Sequence, residues 1–556
     1  MNNAPAKNFT DIDRILRIPV SSEAPDMTDR FRKPNGQMRL RAAQSQAIHD
    51  AAIAKGGVFP IGVGWGKTLI TQLIGVALGA KRPLVLIPAP CEGQFWRDYQ
   101  SYGKHFTVHP NLQVLTYSKL QVISGKDSLK QIQPDLIIAD EAHNLRNMRS
   151  ARCQRVHRYL KAAHETGQPV MFICLSGTLT SKSLRDYSHL TKWALRSNAP
   201  VPKDPNEAIA WSMVLDSGTR PTPQELSHMS PFVKHYYPNQ VVTQETARAA
   251  FADRFTKTLG VVATRDSSAV GCSLLILERK IQIPKVVTDA LHHVRTTWSL
   301  PTGSQEFSDQ MSLIGASKQI AQGFYYIWDW GKDRPNEADK EWVEMRKRWA
   351  RAVREQVKKE VDGLDSELLI TNACRWSVRH DKLYPELLPL VAVAWKIWEP
   401  FHKIKPPPTI PIWVDDFLIK DSIAWAKEQN EPVIIWYGDT AVGARFRELG
   451  IPTFGQGSEM PQKPIVCAAS YNVHGTGKNL QAWKNQIVLD PPASGQMWEQ
   501  LLGRTHRQGQ TADEVSFYHY AHTPEFKRAI EQSITSATYI QETTKTPQRL
   551  LYATWG

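Results

Sequence analysis

The stretch Gly62-Val63-Gly64-Trp65-Gly66-Lys67-Thr68 decides how the rest of the chain is read. A brief apolar run, Val58-Phe59-Pro60-Ile61, precedes it, and a helical pattern, Leu69-Ile70-Thr71-Gln72-Leu73-Ile74-Gly75-Val76, follows. Strand, glycine-rich turn and a helix opening on Lys-Thr is the layout of a phosphate-binding loop. Glycines let backbone N–H groups close around phosphate oxygens, and the helix N-terminus adds partial positive charge. In such a loop Lys67 reaches the β/γ-phosphates and the Thr68 hydroxyl ligates Mg²⁺. The strict spacing asks for a glycine five places before Gly66, where this chain has Ile61. On its own, Gly-x-Gly-Lys-Thr is equally an ordinary glycine-rich turn.

Just upstream, Leu40-Arg41-Ala42-Ala43-Gln44-Ser45-Gln46-Ala47-Ile48 predicts a helix. Gln44 carries both a donor and an acceptor, which suits the edge of adenine; a solvated helix face is the plainer reading. Downstream, Leu84–Ile87, Val114–Tyr117, Leu136–Ala139 and Phe172–Leu175 are continuous apolar runs separated by helix-like segments. Such runs imply strands buried on both faces, hence a parallel sheet covered by helices. Ligands on these sheets bind beyond the carboxyl ends of the strands. The third run leads directly into Asp140-Glu141-Ala142-His143. There Asp140 can hold Mg²⁺ through water while Glu141 orients or deprotonates an attacking water. A helix N-cap is the alternative for the pair. The fourth run ends in Ser176-Gly177-Thr178, either a γ-phosphate sensor or a plain turn.

The second half repeats the pattern. Val433–Tyr437, Ile465–Ala469 and Ile487–Asp490 are further buried-strand runs. Among them lie His474-Gly475-Thr476-Gly477-Lys478-Asn479-Leu480 and Gln500-Leu501-Leu502-Gly503-Arg504-Thr505-His506-Arg507-Gln508-Gly509-Gln510. Arg504 and Arg507 stand three apart, which on a helix places both guanidiniums on one face. From there they can neutralise phosphate charge across a cleft.

In this order the motifs resemble those of superfamily-2 helicases, and within them the Swi/Snf-type DNA translocases. Gly64–Thr68, Asp140–His143 (a DEAH-type box) and Ser176–Thr178 are similar to motifs I, II and III. Residues 40–44 resemble the Q segment, Pro88-Ala89-Pro90 with Phe95-Trp96 motif Ia, and Thr116-Tyr117-Ser118 motif Ib. His474–Leu480 resembles motif V, and Gln500–Gln510 motif VI. Gly62 stands where the family usually has an acidic residue. The resemblance implies two RecA-like parallel-sheet lobes with a large, mostly helical insertion between them. It implies ATP held by Gln44, Gly64, Trp65, Gly66, Lys67, Thr68, Gly475, Gly477 and Gln500, with Mg²⁺ on Thr68 and Asp140. Catalysis would fall to Lys67, Asp140, Glu141, Arg504 and Arg507. A sequence-nonspecific contact to duplex DNA would run through Pro88, Thr116, Tyr117, Ser118, Thr476, Lys478 and Asn479. An RNA-stimulated helicase shares this skeleton, and a non-hydrolysing DNA-binding clamp is the non-enzymatic alternative.

Composition agrees with several domains and a polyanionic partner. The 556 residues exceed a single core, and 68 Lys and Arg against 54 Asp and Glu give a net charge of +14. None of the six cysteines forms a Cys-x-x-Cys pair, which argues against a zinc ribbon or disulfide framework. No apolar signal region and no run of eighteen apolar residues is present, so no membrane partner is expected. A monomer in the bacterial or bacteriophage-host cytoplasm is expected, because the chain lacks the accessory modules of chromatin remodellers and looks like the compact bacteriophage or prokaryotic relatives.

The organisation read from the sequence is an arm (1–36), a first lobe (37–195), a helical insertion (196–405), a second lobe (406–540) and a tail (541–556). Within the insertion, Val261–Asp266, Leu274–Leu277 and Ile281–Pro284 follow the order of the family's region after motif III. Trp342, Met345, Trp349, Val353 and Val357 recur at helical spacing among Arg346, Lys347, Arg348, Arg351 and Arg354. This predicts an amphipathic helix whose arginines either face solvent or track a DNA backbone. Lys403-Ile404-Lys405-Pro406-Pro407-Pro408 reads as a semi-rigid linker.

Overall fold

A computed structural model describes residues 10–180, 182–264, 271–331, 335–359, 361, 364 and 366–556. The glycine loop belongs to a five-stranded parallel sheet. Its strands are β1 (Gly57–Phe59), β2 (Pro83–Ile87), β3 (Gln113–Thr116), β4 (Leu136–Asp140) and β5 (Met171–Leu175), ordered β1-β5-β4-β2-β3. The central strands are apolar throughout because both faces are covered. Successive side chains alternate between faces. Leu84, Leu86 and Ile137 join one apolar cluster, whereas Val85, Ile87 and Ile138 join the other. Helices Ala42–Ala54 and Lys67–Leu78 supply the second cluster, Ala151–Glu165 and Ser188–Leu195 the first. Only β5 separates β1 from β4, so the glycine loop and Asp140 emerge at the same carboxyl edge.

Beyond this sheet come β6 (Ser273–Glu278), an antiparallel ribbon of β7 (Phe324–Trp328) with β8 (Thr409–Trp413), and then β9 (Val433–Tyr437). They are followed by β10 (Thr453–Phe454), β11 (Cys467–Ser470), β12 (Asn485–Val488), β13 (Glu514–His519) and β14 (Thr554–Trp555). The second sheet has seven strands, all parallel, in the order β10-β11-β9-β12-β13-β6-β14.

The stretch 196–405 is thus divided among three parts of the molecule. Helices Pro205–Leu215, Ser230–Tyr236 and Gln244–Lys257 extend the core beside the first sheet through Trp211, Phe232 and Phe251. Strand β6 pairs residue by residue with β13 and is a full member of the second sheet. Helices Glu337–Val357, Glu367–His380 and Pro389–Trp398 form a separate module around Trp342, Trp349, Trp395 and Trp398. Arginine tracking of a DNA backbone finds few free groups there. Arg346 lies over the rings of Trp328 and Trp342, while Arg351 and Arg354 both pair with Glu306. Residues 265–266 of the region after motif III lie outside the described residues, and Ile281–Pro284 forms no strand.

Both chain ends are more engaged than an arm and a tail. Ile12, Ile15 and Ile18 are buried in the first core, and Arg14 donates to the carbonyls of Ser197, Ala199 and Val201. At the other end, helix Pro524–Thr544 packs on Gln244–Lys257, and β14 lies beside β6. The linker at 403–408 is largely exposed and runs into β8. All six cysteines are free thiols, and among the described residues no helix is long and apolar enough to cross a membrane.

Candidate active site

The glycine loop turns through two left-handed residues, Gly64 (φ +89°) and Gly66 (φ +78°), before helix Lys67–Leu78 begins. That backbone region favours glycine. Side chains from the preceding helix brace the loop from outside. Gln44 Nε2 donates to Gly66 O at 3.1 Å, while its Oε1 accepts from Arg41 N at 2.8 Å. A Cβ on Gly66 would collide with that Gln44 amide. Arg41 donates to Gly64 O at 3.2 Å and lies 5.8 Å from the centre of the Trp65 ring. Gln44, expected at an adenine edge, therefore uses both ends of its amide to shape the loop. Lys67 Nζ folds back on the carbonyls of Ile61 (3.0 Å) and Gly62 (3.3 Å), 3.8 Å from Glu141 Oε1. Thr68 is half-buried in the first helical turn beside it.

Asp140 closes β4 and Glu141 leaves it with φ +52°. A non-glycine residue in that region is uncommon and is held there by its surroundings. The turn swings the Glu141 carboxylate to 3.3 Å from His143 Nδ1 and 3.5 Å from Ser176 Oγ, with His143 and Ser176 3.1 Å apart. Motifs II and III thereby share one polar cluster. Burial and the charge of Glu141 raise the Asp140 pKa, so the apposed pair resists holding two negative charges. For Glu141, burial acts in the same raising sense but is outweighed by Lys67 and by His143, and its pKa falls. The Tyr117 hydroxyl donates to Asp140 O at 2.9 Å. Tyr117 is thus a buried support of β4, and Thr116 is a buried cap accepting from Lys119 N. Of the residues placed on a nucleic-acid path, Ser118 and Asn479 are exposed, and Pro88, Thr476 and Lys478 half-buried.

The second sheet brings its motifs onto the same cleft. Helix Gly495–Thr505 starts at the Ser494 cap and packs Gly503 so closely on the loop that a Cβ there would lie 2.7 Å from Val63 Cγ1. Gln500 is buried in this helix. Arg504 is buried as well and donates to the carbonyls of Gly475 (3.0 Å), Gln500 (3.2 Å) and Lys478 (3.2 Å). Burial lowers its pKa to about 10. Arg507 does not share a helical face with it: the helix ends at Thr505, and His506 turns away with ψ 81°. His506 Nε2 reaches Cys272 O at 3.0 Å, and this tertiary contact draws the chain out of the helix. The bend delivers Arg507 to the glycine loop, where a Cβ on Gly64 would lie 3.6 Å from Arg507 Cβ. Arg507 Nη1 donates to Asn479 Oδ1. Gly477 approaches Cys91 so closely that a Cβ there would meet its Sγ at 2.5 Å.

These groups enclose a cavity of about 240 Å³ lined by Gly64, Lys67, Thr68, Glu141, Arg504 and Arg507 among others. Asp140 completes its carboxylate wall. Asp98 and Tyr102, four apart on helix Glu92–Tyr102, also line it, with Arg507 electrostatically coupled to both. Helical spacing after motif Ia was the one signal that could have found them. Two further residues, Glu499 and Arg549, form a buried ion pair against the loop, and no motif marks either. A larger open cavity of about 850 Å³ lies at the amino edge of the first sheet near Arg82, Lys130 and Arg155, away from every motif. An arrangement of loop amides, one ammonium, two carboxylates and an opposed guanidinium suits a phosphate chain with a divalent cation. Mg²⁺ accepts this donor set because it keeps waters and takes only one or two protein carboxylates. No family model matches the chain, and no curated protein matches it.

Proposed function

We propose that the chain is a nucleic-acid-stimulated ATPase of the superfamily-2, Swi/Snf type, with two RecA-like lobes that translocate along duplex DNA. The observation that carries this reading is the shared cavity: Lys67 and Glu141 from one half of the sequence and Arg507 from the other line a single cleft. In it Lys67 would exchange the Ile61 and Gly62 carbonyls for the β/γ-phosphates. Thr68 and Asp140 would hold Mg²⁺, which supplies charge neutralisation between phosphate oxygens. Glu141, kept ionised by Lys67 and His143, is the acceptor for a proton of the attacking water. Arg507 neutralises charge on the transferring phosphoryl group, while Arg504 keeps the 475–478 loop in shape.

The Arg507–Asn479 hydrogen bond supports a route by which nucleic acid stimulates hydrolysis, since Asn479 is exposed on the face expected to meet a phosphate backbone. The net charge of +14 favours that polyanion. The test is ATP hydrolysis measured with duplex DNA, single-stranded DNA and RNA, together with a strand-displacement assay. Stimulation by duplex DNA without strand separation is expected. Hydrolysis stimulated only by RNA would favour the helicase alternative, and no hydrolysis with any of them would leave the clamp.

A further inference from the structure

We infer that Arg549 is a positioning residue of this cleft, its single guanidinium fixing the glycine loop relative to Arg507. The inference rests on the functional reading above. Arg549 Nη2 donates to Val63 O at 3.0 Å, the carbonyl immediately before Gly64. Its Nε donates to His506 O at 3.2 Å, the carbonyl immediately before Arg507. One rigid planar group therefore spans the two backbone points whose separation sets how Arg507 meets the loop. Its Nη1 is ion-paired with Glu499, whose other oxygen accepts from Arg549 N at 2.6 Å. Gly503 makes room for this: a Cβ there would lie 3.4 Å from Arg549 Cζ.

A second tie acts at the other end of the loop, where Thr546 Oγ1 donates to Pro60 O at 3.0 Å. Gln548 holds the intervening turn through Thr546 O and Gln541 Oε1. Residues 546–549 thus arch over the loop from the far end of the chain. Arg41 also bonds the loop, but it sits on the same side of the cleft and cannot relate the two halves.

Helix-to-helix adhesion does not account for the pair. Arg549 is 5% exposed and Glu499 1%. Apolar side chains of similar size commonly hold such a contact as well as buried charges do. What they cannot supply is the donor fork toward Val63 and His506.

That difference provides the test. Glu499→Leu combined with Arg549→Met removes both charges without leaving either unpaired, and its melting temperature is expected within a few degrees of the native chain. Amide exchange at residues 61–66 should accelerate about tenfold or more, while 433–437 in the second sheet stay unchanged. The kcat for nucleic-acid-stimulated ATP hydrolysis should fall about tenfold or more, with the KM for ATP within about threefold. Arg549→Lys keeps the charge and the ion pair but has one nitrogen for two carbonyls, and should show the same local exchange and kcat loss if the double variant fails to fold. Native exchange at 61–66, or native kcat, in the folded variant overturns the inference. If the native chain hydrolyses no ATP under any condition, the functional reading falls and the exchange measurement alone decides the role of Arg549.

Discussion

Glu141 sits at φ +52°, a conformation that strand propensity does not favour, and the Lys67–Glu141–His143–Ser176 cluster is what that turn makes possible. Replacing the carboxylate by an amide of the same size tests its charge without disturbing its packing. Glu141→Gln should retain nucleotide binding while turnover falls about 10²–10⁴-fold, the range of general-base loss. Turnover near the native value, by steady-state assay, would remove Glu141 from the chemistry. Arg507→Ala should likewise keep affinity for nucleotide and lower kcat about 10³-fold. Parallel loss of binding and turnover would assign Arg507 a structural part instead. Lys67, Asp140 and Glu141 were legible in the sequence because loop and strand-end chemistry is local. Glu499 and Arg549 were not, since a glutamate inside a helix and an arginine near a chain end carry no pattern of their own. Gln44, Thr116 and Tyr117 show the converse, where a motif position proved to be supporting structure.

Among elements, helix Glu337–Val357 runs as its periodicity predicts, with Asn336 capping it and Trp342, Trp349 and Val353 buried. Trp349 Nε1 donates to Glu367 Oε1 at 2.9 Å and its ring meets Trp395 edge-on at 5.4 Å. Trp349→Ala should therefore cost about 3–5 kcal/mol in stability, read by urea unfolding. This module stands apart from the cleft, so stimulated hydrolysis at a temperature where the variant is folded should stay near native. Loss of hydrolysis without loss of stability would bring the module into the active machinery. Helix Gly495–Thr505 teaches the opposite lesson about spacing. Three-residue separation placed Arg504 and Arg507 on one face, yet a contact from His506 to Cys272, far away in sequence, ends the helix between them. Strand β6 was read as part of a protrusion because its four apolar residues look the same whether they join a sheet or not; its pairing with β13 is a non-local fact.

At the scale of the whole molecule, a basic surface without base-reading elements predicts sequence-tolerant, salt-sensitive binding. Affinity for duplex DNA should fall about a hundredfold or more between about 50 mM and about 200 mM salt, and two duplexes of unrelated sequence should bind alike in an equilibrium titration. Salt-insensitive binding, or a strong preference between the duplexes, would contradict a backbone-tracking role. By itself the sequence determined the alternation of buried strands with helices, the glycine loop and the carboxylates at one sheet edge, because these follow from short-range periodicity and turn chemistry. Only the tertiary structure decided which strands share a sheet, where helix Gly495–Thr505 stops, and that the last residues of the chain arch over the loop. Those outcomes depend on which surfaces are buried against one another across hundreds of residues, and local spacing carries no record of that.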